Sequence, residues 1–296
     1  MPKTMIGEAL KRASFCLKEA GIEGARTEAE LLLSNILKIE QLSLLVNSER
    51  LLTEDVLASY QEVINRRSKG EPLAYITGQK YFYGFLFSVN REVLIPRPET
   101  ELIVEVALQR INDNSLFNKP LLNCADLGTG SGILAISLAK HLKRAYFWAV
   151  DRSASAIELA NLNASRHGVT DRLTLLEGDY FEALQHKVPD MRFDLIVSNP
   201  PYVSGPDMEK LPPEVKYFEP AEALFGGEDG LDHYRYIVKN LKRIAKNGAL
   251  VILEIGAGQK EQIADIILGI RYLNDINWHY DLNGWPRVVE FKVEKT

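Results

Sequence analysis

From residue 121 to residue 198, strand-length apolar runs alternate with segments of helical period, and few folds accommodate that alternation. Residues 121–127, 145–150, 173–176 and 193–198 read as strands, and residues 133–142 and 154–167 as helices. A strand-helix-strand rhythm of this kind predicts an α/β fold built on a parallel sheet with helices on both faces. Helices over 231–245 and 259–268, with strands over 249–255, 272–280 and 286–293, complete the pattern. In such sheets ligands sit at the carboxyl edge of the strands, so the segments that follow each strand become the candidate site.

The region before the alternation has a different character. Ile6, Ala9, Leu10, Ala13, Phe15, Cys16, Leu17 and Ala20 recur at helical spacing and stop at Gly21. Thr27 and Glu30 form a capping-box pair ahead of Leu31, Leu32, Leu33 and Ile36, and Thr53 caps a further helix that ends near Gly70 and Pro72. Arg66, Arg67 and Lys69 at its end read as a solvated face. Between Tyr75 and Ile95 the period becomes two, with Tyr81, Tyr83, Phe85, Phe87 and Val89 around Gly84, which predicts a hairpin. The expected organisation is a helical bundle over 1–73, a connecting hairpin over 74–95 and an α/β domain over 96–296, with the polar stretch 112–120 ending its first helix. Some 30 residues after Tyr202, holding Pro206, Pro212, Pro213 and Pro220, exceed an ordinary connection and read either as a substrate-binding segment or as a surface loop.

Composition narrows the partners. A formal net charge of −5 argues against stable nucleic-acid binding and for a protein or small molecule. Cys16 and Cys124 lie far apart in apolar settings and read as packed thiols in a reducing compartment, not a disulfide or a metal pair. With no signal peptide and no apolar run of roughly 18 residues, a cytoplasmic protein without membrane contact is expected, and a monomer.

Two turns carry the chemistry. Gly128, Thr129, Gly130, Ser131 and Gly132 follow the first strand of the alternation and open a helix. Glycines there let the backbone turn sharply and let a ligand approach the main chain. Asp151, at the end of the next strand, can accept both hydroxyls of a ribose or serve as a helix cap, a role for which Ser153 competes. The glycines fall at 128, 130 and 132, so the dinucleotide fingerprint, whose third glycine comes one place later, is not met. After the fourth strand come Asn199, Pro200, Pro201 and Tyr202. An amide that donates and accepts, a carbonyl aimed by a proline ring and an aromatic face suit a planar amide or amine, although a stiff turn with a packed tyrosine has the same composition.

Asp126-Leu127-Gly128-Thr129-Gly130-Ser131-Gly132 resembles the first motif of S-adenosylmethionine-dependent methyltransferases, and Asp179-Tyr180 after the third strand fits that resemblance. The carboxylate could accept an adenine amino group while the ring covers the base. Packing into the core is the other reading of Tyr180.

Asn-Pro-Pro-Tyr in that context resembles methyltransferases that act on amino groups. Glu71-Pro72, Tyr75-Ile76-Thr77-Gly78, Leu94 to Glu101, Phe218-Glu219-Pro220, Ala223 to Gly227 and Asp229-Gly230-Leu231 are similar to one subset, the release factor glutamine methyltransferases of the HemK/PrmC family. The similarity runs from about residue 71 to Arg287-Val288-Val289, with several unrelated motifs in the family's order; the first 70 residues share only helical character.

The resemblance implies a Rossmann-like seven-stranded domain whose last strand is antiparallel, behind a small helical bundle that recognises the substrate. It implies S-adenosylmethionine as cofactor and, as substrate, the glutamine of the Gly-Gly-Gln motif of class I peptide chain release factors, methylated on its side-chain nitrogen. It also implies that the Asn199 oxygen and the Pro200 carbonyl accept the two amide protons, with Tyr202 packing on the glutamine and Pro201 shaping the wall. Gly128, Thr129, Gly130, Ser131, Gly132, Asp151, Asp179, Tyr180 and Asn199 would hold the cofactor, and no metal is implied. Where family members often carry tryptophan this chain has Tyr180, so an aromatic platform remains. The competing activity is adenine-N6 methylation of nucleic acid, which would call for a basic surface.

Overall fold

The computed structural model describes residues 4–113 and 120–294. Its chain clusters into two compact units, one of residues 1–79 with 212–218 and one of residues 80–211 with 219–296. The expected end of the first helix of the α/β domain, residues 112–120, lies largely outside the described residues.

The first unit is helical: α1 (Ile6–Glu19), α2 (Ala25–Leu37), α3 (Gln41–Val46), α4 (Glu54–Ser68) and α5 (Leu73–Thr77). Ile6, Ala9, Leu10, Ala13 and Leu17 form the buried stripe of α1, while Phe15, counted in that stripe from the sequence, is 66% exposed. The capping box does not form. Gly24, with φ +70°, starts α2 three residues before Thr27, and Glu30 instead accepts from Arg26 Nε at 2.9 Å and Gln41 Nε2 at 2.8 Å. Thr53 does cap α4, its Oγ1 accepting from Val56 N at 3.4 Å.

The solvated face expected for Arg66 and Arg67 is also corrected. Arg67 is buried, donating to Glu28 at 2.5 Å and to Glu214 at 3.1 Å, and Arg66 forms a two-pronged pair with Glu71 at 2.8 Å. Glu214 comes from the long segment after Tyr202, part of which thereby belongs to the helical unit. Tyr75, placed in the hairpin from the sequence, lies in α5.

The hairpin is β1 (Gln79–Phe82) and β2 (Phe85–Ser88); after it comes a 3-10 turn over Pro98–Thr100. The rest of the chain runs α6 (Glu101–Asp113), β3 (Leu122–Leu127), α7 (Ile133–His141), β4 (Ala145–Asp151), α8 (Ala154–His167), β5 (Leu173–Glu177), α9 (Tyr180–Lys187) and β6 (Phe193–Ser198). Short helices α10 (Gly205–Met208) and α11 (Pro213–Lys216) interrupt the long segment, before α12 (Asp232–Ile244), β7 (Ala245–Glu254), α13 (Lys260–Leu268), β8 (Leu273–Tyr280) and β9 (Pro286–Val293).

Seven strands make one sheet in the order β5-β4-β3-β6-β7-β9-β8. The pairs from β5 through β7 are parallel, and β9 runs antiparallel between β7 and β8. Every residue of β6 is buried, as a strand covered on both faces requires. Two apolar clusters form those layers, one gathering α9, α12 and α13 and the other α6, α7 and α8. The chain leaves β3 towards β4 on one side and later reaches β6 on the other, so a crevice opens at the carboxyl ends of β3 and β6. Ser198 Oγ donates to the Leu127 carbonyl at 2.5 Å and ties those two ends together.

Candidate active site

The crevice holds a cleft of about 540 Å³. Gly128, Gly130, Ser131, Asp151, Asp179, Tyr180, Asn199 and Pro201 line it, joined by Leu94, Arg97, Thr100, Arg152 and His233. A larger concavity of about 790 Å³ on the helical unit, bordered by Phe15, Leu45 and Lys18, holds no comparable set of acids and glycines.

The glycine turn is shaped from below. The N–H groups of Gly128 and Thr129 both donate to the Val150 carbonyl at 2.9 Å, which draws the turn to the end of β4. Asp126, fully buried, accepts through Oδ2 from Thr129 Oγ1 at 2.7 Å and Ala135 N at 3.1 Å; its Oδ1 has no partner among the described residues. Burial pushes its pKa up to about 7, against the pull of those two donors. Thr129 therefore serves the turn from inside and does not line the cleft. Gly132 does not line it either, since a Cβ there would lie 2.7 Å from Ile136 Cδ1. At Gly130, φ is +54° and a Cβ would meet nothing within 4 Å, so this is where a ligand can approach the backbone.

Asp151 crosses from β4 to that turn. Its Oδ2 accepts from Gly130 N at 2.8 Å and its Oδ1 from Ser153 N at 3.0 Å. Ser153 is the α8 cap, with Oγ accepting from Ala156 N at 3.2 Å, so Asp151 is not needed for capping. Each oxygen keeps a lone pair for a ligand hydroxyl. Burial raises its pKa, and the two backbone donors and Arg152 oppose the rise.

Asp179 is the cap of α9, accepting from Tyr180 N at 3.0 Å. Tyr180 is both packed and exposed to the cleft: its ring lies 3.4 Å from a Cβ built on Gly128, and its hydroxyl pairs with His233 Nδ1 at 3.1 Å. Burial, then the Arg152 charge, lowers the His233 pKa, so a neutral ring meets Tyr180 near pH 7.

Asn199 emerges half-buried, its Nδ2 donating to Thr100 Oγ1 at 3.1 Å. Among the described residues its Oδ1 makes no hydrogen bond. Pro200 is buried and Pro201 faces the cleft. Tyr202 does not line the cleft; it packs on the apolar cluster, and its carbonyl accepts from Gln259 Nε2 at 3.1 Å. The loop is pinned by Val203 N to the Leu224 carbonyl and by Gly226 N to the Val203 carbonyl, both at 2.9 Å.

Several residues of this site carried no role in the sequence. Glu219 is buried, pairs with Arg97 and accepts from Ile95 N at 3.1 Å, which holds the wall of the cleft. Arg97, Thr100 and Glu219 sit in stretches similar to the family, which marked them without saying what they do. His233 had no signal. Among the described residues no group of three or more His, Cys, Asp and Glu side chains is placed to hold a metal ion.

The sheet order, the glycine turn after β3 and the Asn-Pro-Pro-Tyr loop after β6 define a methyltransferase of the Rossmann-like class. Residues 8–78 match the PrmC N-terminal domain and residues 108–212 the methyltransferase small domain. The release factor glutamine methyltransferase of Geobacter sulfurreducens is 44% identical over 94% of this chain and 93% of its own. That of Bacillus cereus is 38% identical over 97% and 99%. A crystal structure of a methyltransferase from Pyrococcus furiosus shares the fold at 15% identity, with a TM-score of 0.51 over 80% of this chain and 100% of that one. The chain belongs to the release factor glutamine methyltransferase family.

Proposed function

We propose that this enzyme transfers a methyl group from S-adenosylmethionine to the side-chain nitrogen (N5) of the glutamine in the Gly-Gly-Gln motif of class I peptide chain release factors. The observation that carries this reading is the Asn199 amide. Its Nδ2 is committed to Thr100, which leaves Oδ1 as an acceptor at a cleft shared with Gly130 and Asp151.

The residues present suit the cofactor. The open side of Gly130 accepts close approach, Asp151 offers two lone pairs to a ribose, and Tyr180 with Asp179 forms an edge for adenine. Gly128, Ser131 and Asn199 complete the contacts, while Thr129 and Gly132 act by shaping the turn. S-adenosylmethionine, when bound, supplies a methyl group on a positively charged sulfur.

A carboxamide nitrogen is a poor nucleophile because its lone pair is delocalised into the carbonyl. The protein's contribution is to hold it about 3 Å from the methyl carbon and to polarise its N–H bonds. Asn199 Oδ1 and the Pro200 carbonyl accept those two protons, Pro201 bounds the glutamine side chain, and Tyr202 gives the loop its packing. The methylated nitrogen then loses a proton to water, so no strong base is needed.

The helical part, residues 1–73, serves recognition, with 74–95 as connector and 96–296 as the catalytic domain. A translation factor as substrate implies cytoplasmic work, and a monomer suffices. Among the described residues no helix is long and apolar enough to cross a membrane.

Labelled methyl donor offered with a release factor, with its Gly-Gly-Gln to Gly-Gly-Ala variant and with DNA tests the reading. Label in the first alone is expected. Label in DNA, or equal label in both proteins, would overturn it.

A further inference from the structure

The loop after β6 is built from residues that cannot tie themselves down. Pro200 and Pro201 carry no N–H, so neither can be held through a donor of its own, and the direction of their carbonyls must be fixed from outside. Beyond them, Val203 N donates to the Leu224 carbonyl at 2.9 Å.

Gln259 supplies donors to this stretch. Its Nε2 donates to the Tyr202 carbonyl at 3.1 Å and to the Gly230 carbonyl at 3.3 Å, while its Oε1 accepts from Gly256 N at 3.0 Å. Both amide protons and the amide oxygen are therefore engaged. Turned over, the amide would set its oxygen against two carbonyls and its N–H groups against another N–H, so its orientation is determined. Gln259 immediately precedes α13, yet its side chain makes no capping bond to that helix. The helix in turn is anchored by Ile263 and Ile267, both fully buried.

Close packing bounds the same stretch. A Cβ on Gly226 would lie 2.8 Å from the Pro201 carbonyl oxygen and 2.8 Å from Tyr202 Cα, and one on Gly230 would strike the Tyr202 carbonyl oxygen. Bare backbone thus walls the Pro201 and Tyr202 carbonyls at a distance no side chain would permit. Each proline ring fixes its own φ and each peptide is planar, so with the next two carbonyls held, the Pro200 carbonyl has little freedom left.

We propose that Gln259 is a positioning residue for methyl transfer: together with Gly226 and Gly230 it forms a cradle that grips the Pro201-Tyr202 backbone and thereby aims the Pro200 carbonyl at the substrate nitrogen. Gln259 is not among the residues lining the cleft and acts only through the loop. The catalytic consequence rests on the glutamine reading above, but the grip on the loop is a property of the free enzyme.

Three measurements on the full chain test this. Gln259→Met keeps the length of the side chain and removes its donors. It should lower kcat on a release factor by about 10-fold or more, since a misplacement of about 1 Å can cost about 100-fold, with KM and cofactor affinity unchanged. Gly226→Ala, which crowds the Pro201 carbonyl while leaving Gln259 intact, should lower kcat in the same way. In an Asn199→Ala background the factor lost on adding Gln259→Met should shrink, because the Asn199 and Pro200 acceptors act as a unit; a general loss of folded enzyme would give the same factor in both backgrounds. Without substrate, amide exchange followed by NMR should be about 2- to 10-fold faster at Val203 in Gln259→Met and unchanged at Ile196 in β6. Wild-type kcat in Gln259→Met, an equal factor in the two backgrounds, or unchanged exchange at Val203 would overturn the proposal. A wild type that methylates no release factor would instead refute the proposed function and leave the exchange result to decide the cradle.

Discussion

Asp151 Oδ2 accepts the Gly130 backbone N–H at 2.8 Å, so the acid that ends β4 holds the glycine turn that follows β3. One carboxylate thus shapes the place where the main chain is open and also presents its remaining lone pairs to a ligand. Recognition and preorganisation are coupled through a single side chain.

Replacing Asp151 with Asn keeps the size but gives up the charge. Hydrogen bonds to a charged acceptor contribute about 1.5–3 kcal/mol, so cofactor affinity by calorimetry should fall by about 10- to 100-fold. Unchanged affinity would remove the ribose role from Asp151.

Asn199→Ala should lower kcat by a factor on the order of 100 or more and affect cofactor affinity less, because the amide is needed most as the nitrogen attacks. Single-turnover kinetics with calorimetry separate the two effects.

Glu219→Ala strips a buried partner from Arg97 and from the Ile95 N–H. Leaving a part-exposed guanidinium and a buried amide without partners should cost about 1–3 kcal/mol, read as a lower urea midpoint with an unchanged slope.

Asp126 has a folded-state pKa of about 7 against an ordinary value of 3.8. A raised pKa favours the protonated form in the folded chain, so its contribution is whole below about pH 4 and is lost as pH rises through about 7. Asp126→Asn should therefore gain on wild type between pH 5 and pH 8, by about 2 kcal/mol. Urea unfolding at the two pH values checks it; a constant difference would contradict the assignment.

Much of the sheet could be read from the sequence because its central strands are covered on both faces. β6 shows this most plainly, a buried run that ends where two prolines forbid its continuation. The helix α9 carries little helical period in the sequence: its buried residues Tyr180, Phe181, Ala183 and Leu184 crowd one end, and its cap Asp179 has the chemistry of a ligand as well. Arg67 looked solvated because its partners Glu28 and Glu214 lie 39 and 147 residues away. The site divides in the same way. Gly130, Asp151 and Asn199 follow strand ends, where local pattern points to function, whereas Thr100 meets Asn199 across 99 residues and no local pattern could have paired them.

The central claim is that the methyl group goes to the glutamine side chain of Gly-Gly-Gln. Tandem mass spectrometry of a release factor treated with enzyme and methyl donor tests it most directly. The account predicts one added methyl on that glutamine with wild type and almost none with Asn199→Ala. A methyl group on any other residue, or equal modification by the two enzymes, would contradict it.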